Sequence, residues 1–157
     1  MNMLSIDTPI GELTIKADDI GVTAIYFAGD TPPGIHRDSH PILNAAAEQI
    51  AEYFAGTRKS FDLPLHLADG FFKTVWVAMI SNVGFGQTAT YGQIANMVGS
   101  PRGARAIGMA NNRNPIPIII PCHRIMGANG ALTGFRWGLD VKKKLLAHEG
   151  VQLISSH

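Results

Sequence analysis

The sequence has one cysteine, Cys122, in 157 residues. That excludes an internal disulfide and a multi-cysteine zinc site, and leaves either an inert buried thiol or a reactive one. Charge is sparse too: Asp, Glu, Lys and Arg make up 16% of the chain against 46% hydrophobic residues, the balance of a compact soluble protein. No apolar run reaches the ~20 residues of a membrane span. Met1-Asn2-Met3-Leu4-Ser5 lacks the basic region and apolar core of a signal peptide, so a cytoplasmic protein with no membrane partner is expected. The six histidines are scattered, so no metal cluster is expected. What the back half lacks most is acid. After Gly70 there are two acids, Asp140 and Glu149, against nine Lys or Arg, a net +7; up to Gly70, ten acids face four Lys or Arg, a net −6. The back half is thus suited to a polyanion, although charge segregation that merely binds two lobes together would give the same numbers.

What is present reads as an α+β chain with a boundary at Ala68-Asp69-Gly70, giving lobes 1–69 and 70–157. In the first, Ser5 to Phe27 predicts a small antiparallel sheet: Leu13 and Ile15 alternate with polar residues, Asp19 to Gly21 turn, and Val22 to Phe27 return. Gly29 to Ser39, with Pro32-Pro33-Gly34, predicts a loop. A helix is expected from Ser39 or Pro41 to Phe54, with Ala47, Ile50, Ala51 and Phe54 inward, then an edge strand over Phe61 to Leu67. The second lobe opens with a helix facing inward through Phe72, Val75, Trp76, Met79 and Ile80. Thr90 can cap a next helix that buries Ile94, Ala95 and Val98. Gly99 can end it in the left-handed conformation, while Ser100 and Pro101 predict the start of another running to about Asn112. Two helices joined so tightly read as a helix-turn-helix, winged-helix-like in setting, with Arg102 and Arg105 near the front of its second helix. The small residues Gly103, Ala104, Ala106, Gly108 and Ala110 admit a close backbone, either a phosphate chain or a neighbouring helix.

The isoleucines of 116–120 predict a buried extended run into Pro121-Cys122-His123-Arg124, placing the thiol at the edge of the core. Ala128-Asn129-Gly130 predicts a hairpin-like turn, Gly134 to Gly138 an aromatic, glycine-rich loop, and Asp140 to Glu149 a last helix with Leu145 and Leu146 inward and fraying beyond Leu153. A nucleophilic thiol needs a base. His123 is adjacent, but neighbouring side chains diverge, so a bridging water is the expected route between them. Asp140 and Glu149 are the candidates to orient His123. Glu149 is preferred, because a carboxylate at a helix C-terminus is opposed by the dipole and wants a partner; a solvated terminal Glu is the alternative.

Asn114-Pro115-Ile116-Pro117-Ile118-Ile119-Ile120-Pro121-Cys122-His123-Arg124 resembles the active-site signature of the O6-alkylguanine-DNA alkyltransferases, also called methylated-DNA–protein-cysteine methyltransferases. Thr90-Tyr91-Gly92 and Ala104-Arg105-Ala106-Ile107-Gly108 resemble that family's helix-turn-helix, and Leu145 to Gly150 its closing helix. The resemblance covers nearly all of the second lobe and is loose in the first. It implies a single-turnover DNA repair protein, monomeric and without cofactor, that flips an alkylated guanine out of the duplex and keeps the alkyl group on Cys122. Position by position it implies Cys122 as acceptor, His123 as water-mediated base, Glu149 as its orienter, Asn114 as a support of the Cys122 turn, and Tyr91 as donor to the flipped base. Arg105 would fill the gap through the minor groove, with Tyr91, Ala104, Ala106, Arg113 and Arg124 also at the DNA. Pro117, Phe135, Arg136, Trp137 and Lys142 would line the pocket, with Trp137 narrowing it against bulky groups. A cysteine hydrolase, a non-reactive binder of damaged DNA and a transcription factor are the competing readings. The first leaves the basic helix-turn-helix unexplained, and the other two leave Cys122 unexplained.

Overall fold

The computed structural model describes residues 2–32 and 40–153, so residues 33–39 of the loop expected over Gly29 to Ser39, and the fraying expected after Leu153, fall outside it. The chain divides into two compact units, Met1–Ala68 and Asp69–His157.

In the first unit β1 (Asn2–Thr8), β2 (Gly11–Ala17) and β3 (Val22–Phe27) form an antiparallel sheet in sequence order. Period-two alternation places Leu13, Ile15 and Ala17 on one buried face, and Leu13 pairs with Phe27, Ile15 with Ile25. Helix α1 (Pro41–Ala55) packs on this sheet. His40 caps it by accepting the Ile42 N–H at 3.2 Å, and Pro41 takes the first position, where no N–H is missed. The buried stripe is Leu43, Ala46, Ile50 and Tyr53, so the expected face of Ala47, Ile50, Ala51 and Phe54 was out of phase and shares only Ile50. Leu43 and Tyr53 bury far more apolar area than any alanine, and they set the rotation. The strand expected over Phe61 to Leu67 is also absent. A single bridge joins Val22 and Leu65, through Val22 N–H to Pro64 O and His66 N–H to Val22 O, both 2.9 Å. Pro64 has no N–H with which to extend the ladder. His66 instead pairs with Asp18, and that hydrogen bond, with the Gly21 N–H, holds the Asp18 carboxyl down at about 2.

The second unit is built from α2 (Phe71–Asn82), β4 (Ala89–Thr90), α3 (Tyr91–Val98), α4 (Ala104–Asn112), β5 (Ile125–Met126) and α5 (Leu139–His148). Helix α2 buries Val75, Trp76 and Met79 as expected, whereas Ile80 is exposed. The Trp76 indole N–H donates to the Ala110 carbonyl at 2.8 Å and so fastens α2 to the last turn of α4. Thr90 caps α3 in a reciprocal box with Gln93, and Gly99 closes it at φ 63°, ψ 39°, where a side chain would be strained. The next helix does not start at Pro101. Residues 101–103 form a turn closed by the Gly103 N–H on the Ser100 carbonyl, and Gly103, at φ 63° and ψ −152°, precedes the first helical residue, Ala104. Only glycine takes such a backbone without cost, so the break falls there. The Ser100 hydroxyl caps nothing, and Arg102 lies in the turn. Helices α3 and α4 pack together as the expected helix-turn-helix, and the α+β class is the one anticipated. The isoleucines are buried but not extended: Ile120 N–H returns to Ile116 O at 2.9 Å, and Ile118 sits at φ 76°. A turn follows at Ala128–Gly130, but no hairpin forms, because β5 pairs in parallel with β4. No helix among the described residues is long and apolar enough to cross a membrane.

Candidate active site

Cys122 opens a three-residue 3-10 turn, Cys122–Arg124, and is completely buried. Its backbone is fixed from three directions. Cys122 N–H donates to Ile120 O at 2.8 Å, the Asn111 amide donates to Cys122 O at 3.4 Å, and Asn114 bridges the preceding turn. That bridge runs from the Asn114 amide nitrogen to Ile120 O at 2.9 Å and from Ile116 N–H to Asn114 Oδ1 at 2.8 Å. The turn therefore holds Ile118 in a left-handed conformation that costs a β-branched residue roughly 1–3 kcal/mol. Burial pushes the Cys122 thiol up to about 12, against the Asn114 hydrogen bond and the Lys142 charge, which favour the thiolate. At neutral pH the resting group is a thiol.

His123 is also fully buried. Its Nε2 lies 2.7 Å from Glu149 Oε2, which makes Nε2 the protonated nitrogen and leaves Nδ1 as the acceptor, buried and without a hydrogen-bond partner among the described residues. Burial draws the imidazole below its ordinary value and the Glu149 contact opposes this; the net direction is downward, toward a neutral base. Glu149 follows α5 directly, is buried, and is not the solvated terminal residue that was the alternative reading. Arg124, expected at the DNA, is a correction. Its guanidinium is buried, with Nε on Glu149 Oε1 at 2.7 Å, Nη2 on Oε2 at 3.0 Å and Nη1 on Val83 O at 2.8 Å. A guanidinium with all three nitrogens engaged on a buried carboxylate and carbonyl is not presented to a phosphate.

Lys142 projects from α5 through the core to the carbonyls of Ile125 (2.7 Å) and Thr133 (3.4 Å), and burial draws its ammonium down to about 8. Tyr91, half-buried at the start of α3, shares a hydrogen bond with the Thr133 hydroxyl at 3.1 Å. The Phe135 and Trp137 rings meet edge to face at 5.2 Å, Arg136 lies 5.2 Å from the Trp137 ring, and Lys142 Nζ 6.0 Å from that of Phe135. The second lobe thus brings Cys122, His123, Glu149, Asn114 and Lys142 into one buried network. Arg105, Ala104 and Arg113 are exposed on or at the end of α4. Ala106 is not: it is buried on the same helix with Ile107 and Ala110, because it falls on the stripe that α4 turns to the core. Pro117 is buried within the isoleucine turn. Asn111 was missed. A signal existed for Asn111, a polar residue on the stripe of Ile107, Ala110 and Asn114 at helical spacing.

Comparison with known proteins gives the same reading for both units. Residues 70–151 match the 6-O-methylguanine DNA methyltransferase, DNA binding domain family, and residues 3–67 the 6-O-methylguanine DNA methyltransferase, ribonuclease-like domain family. A methylated-DNA–protein-cysteine methyltransferase of Methanosarcina acetivorans is 43% identical over 150 residues, covering 92% of this chain and 95% of that one. One of Mycolicibacterium paratuberculosis is 42% identical, covering 92% and 90%. The crystal structure of Mycobacterium tuberculosis OGT in complex with DNA superposes with a TM-score of 0.85 at 38% identity, covering 95% of this chain and 92% of that one. By its sequence, its fold and its two family domains, the chain belongs to the 6-O-methylguanine DNA methyltransferases.

Proposed function

We propose that this protein repairs DNA by flipping O6-alkylguanine, chiefly O6-methylguanine, out of the duplex and moving the alkyl group irreversibly to its own Cys122. The observation that carries this reading is the buried relay at the thiol. Cys122 and His123 share one turn, Glu149 holds Nε2 of His123, and Nδ1 is left as a buried acceptor. A thiol held near 12 needs such a base. A water between Sγ and Nδ1 carries the thiol proton to His123 while sulfur attacks the alkyl carbon in line. The sulfur–carbon bond forms, the carbon–O6 bond breaks, and guanine leaves with a proton supplied to its ring by the Tyr91 hydroxyl. The product is a thioether, so each molecule acts once. Lys142 braces the pocket wall, and Phe135, Arg136, Trp137 and Pro117 shape its rim. Residues 70–157 act as the DNA-binding and transfer domain, and 1–69 as scaffold. The protein works as a monomer on the minor groove, with Arg105 in the gap left by the flipped nucleotide and Ala104 and Arg113 beside the backbone; the exposed Ala104 and half-exposed Gly108 of α4 suit close approach better than base-edge reading.

The test is incubation with a duplex oligonucleotide carrying O6-methylguanine, followed by intact and peptide mass analysis. One methyl group per protein on the Cys122 peptide is expected. Multiple turnover, or unmodified protein bound to the lesion, refutes the reading.

A further inference from the structure

Arg124 has no task in the relay as described, yet it makes three of the hydrogen bonds around it. Glu149 Oε2 is shared between His123 Nε2 at 2.7 Å and Arg124 Nη2 at 3.0 Å, and Oε1 between Arg124 Nε at 2.7 Å and the Gly86 N–H at 3.3 Å. The third guanidinium nitrogen reaches Val83 O, so the end of α2 and the loop after it anchor the fork. A planar guanidinium that grips both carboxylate oxygens fixes their plane, and with it the direction in which Oε2 points at the imidazole.

We propose that Arg124 is a positioning residue that locks Glu149 in orientation and offsets its charge, so that His123 is held in line yet remains neutral, with Nδ1 able to accept the thiol proton. This rests on the reading of His123 as the base. A carboxylate at 2.7 Å favours the doubly protonated imidazole, in which Nδ1 is a donor and useless to Cys122. Burial is the main influence that keeps the imidazole neutral, and the field of Arg124 acts on His123 in the same downward direction. The other charged or titratable groups facing the ring are Lys142 and Glu149 from α5 and its end, and Cys122 on its own turn. Lys142 also lowers the imidazole, but it is committed to the Ile125 and Thr133 carbonyls and does not touch Glu149's oxygens among the described contacts. The loop from Val83 to Thr88 has no charged side chain, so its contribution is by backbone alone.

The test has two readouts on the full chain: the titration of His123 followed by NMR of labelled imidazole, and the pH profile of single-turnover methyl transfer. Arg124→Met should move the imidazole midpoint up by about one unit and lower transfer at pH 7 by about tenfold, with part of the loss recovered as pH rises. Arg124→Lys keeps a cation in place but not the fork. It should leave the midpoint near that of the native protein while transfer slows at every pH, and it decides the matter if the Met variant does not fold. An unmoved midpoint in Arg124→Met overturns the proposal, and so does native-rate transfer in Arg124→Lys. A midpoint that moves while the transfer profile stays put supports the charge role of Arg124 and removes His123 as the base, so the two readings fail separately.

Discussion

Replacing Asn114 with alanine tests whether the Cys122 turn is held by one side chain. Asn114 is fully buried, and its amide makes two bonds to the turn that carries the thiol. Without it, Ile116 N–H is buried and unpaired, a cost of about 1–3 kcal/mol. The Ile120 carbonyl suffers less, since it still accepts the Cys122 N–H at 2.8 Å, and about 1 kcal/mol covers that loss. Together these give roughly 2–4 kcal/mol, a large share of the ~5–15 kcal/mol that stabilises a typical domain. For a chain of this length that corresponds to a drop in melting temperature on the order of 10 °C. Thermal and urea unfolding of Asn114→Ala measure it, with Asn112→Ala as control, since Asn112 is exposed and should change stability by less than about 0.5 kcal/mol. Methyl transfer should slow as well, because the strained Ile118 backbone relaxes and the Cys122 thiol loses a partner that favours its ionised form. A melting temperature within 2 °C of the native value, taken as about the scatter of such measurements, or an unchanged transfer rate, refutes the account of the turn.

Two further outcomes follow from the same site. With the thiol near 12, folded protein at pH 8 should react with iodoacetamide more slowly than unfolded protein by a factor on the order of a thousand, and the gap should close as pH rises toward that value; comparable rates at pH 8 would contradict the burial argument. Trp137, packed edge to face against Phe135, is expected to narrow the entrance, so Trp137→Gly should speed reaction with O6-benzylguanine relative to O6-methylguanine; a ratio that does not change removes Trp137 as the limit on lesion size.

The site was more legible in the sequence than the packing around it. Glu149 could be singled out because the second lobe has only two acids, and Cys122 because the chain has one thiol. Arg124 was misplaced for the converse reason. In a lobe with nine cations, a basic residue beside the reactive cysteine reads as a DNA contact, and its bond to a carboxylate 25 positions away leaves no local trace. The phase of α1 was lost because Ala45, Ala46, Ala47 and Ala51 blur a stripe that only Leu43, Ile50 and Tyr53 define. The start of α4 was set three residues early because Pro101 and Ser100 both carry helix-start chemistry, and the backbone of Gly103 overrules them. Lys142 was expected at the pocket wall from the resemblance, but nothing local announces that its whole length is buried.

Helix α4 is bolted at its far end, by the Trp76 indole on Ala110 and by Asn111 on the carbonyl of Cys122 itself. Arg105 rides on the same rigid rod six residues earlier, about 9 Å along the axis at ~1.5 Å per residue. The span from Arg105 to the thiol is therefore a gauge of set length, with no slack to adjust to what it meets. A single residue inserted between them would turn Arg105 about 100° away from its bearing on Cys122. Under the proposed function, whatever fitting a distorted duplex requires falls to the duplex.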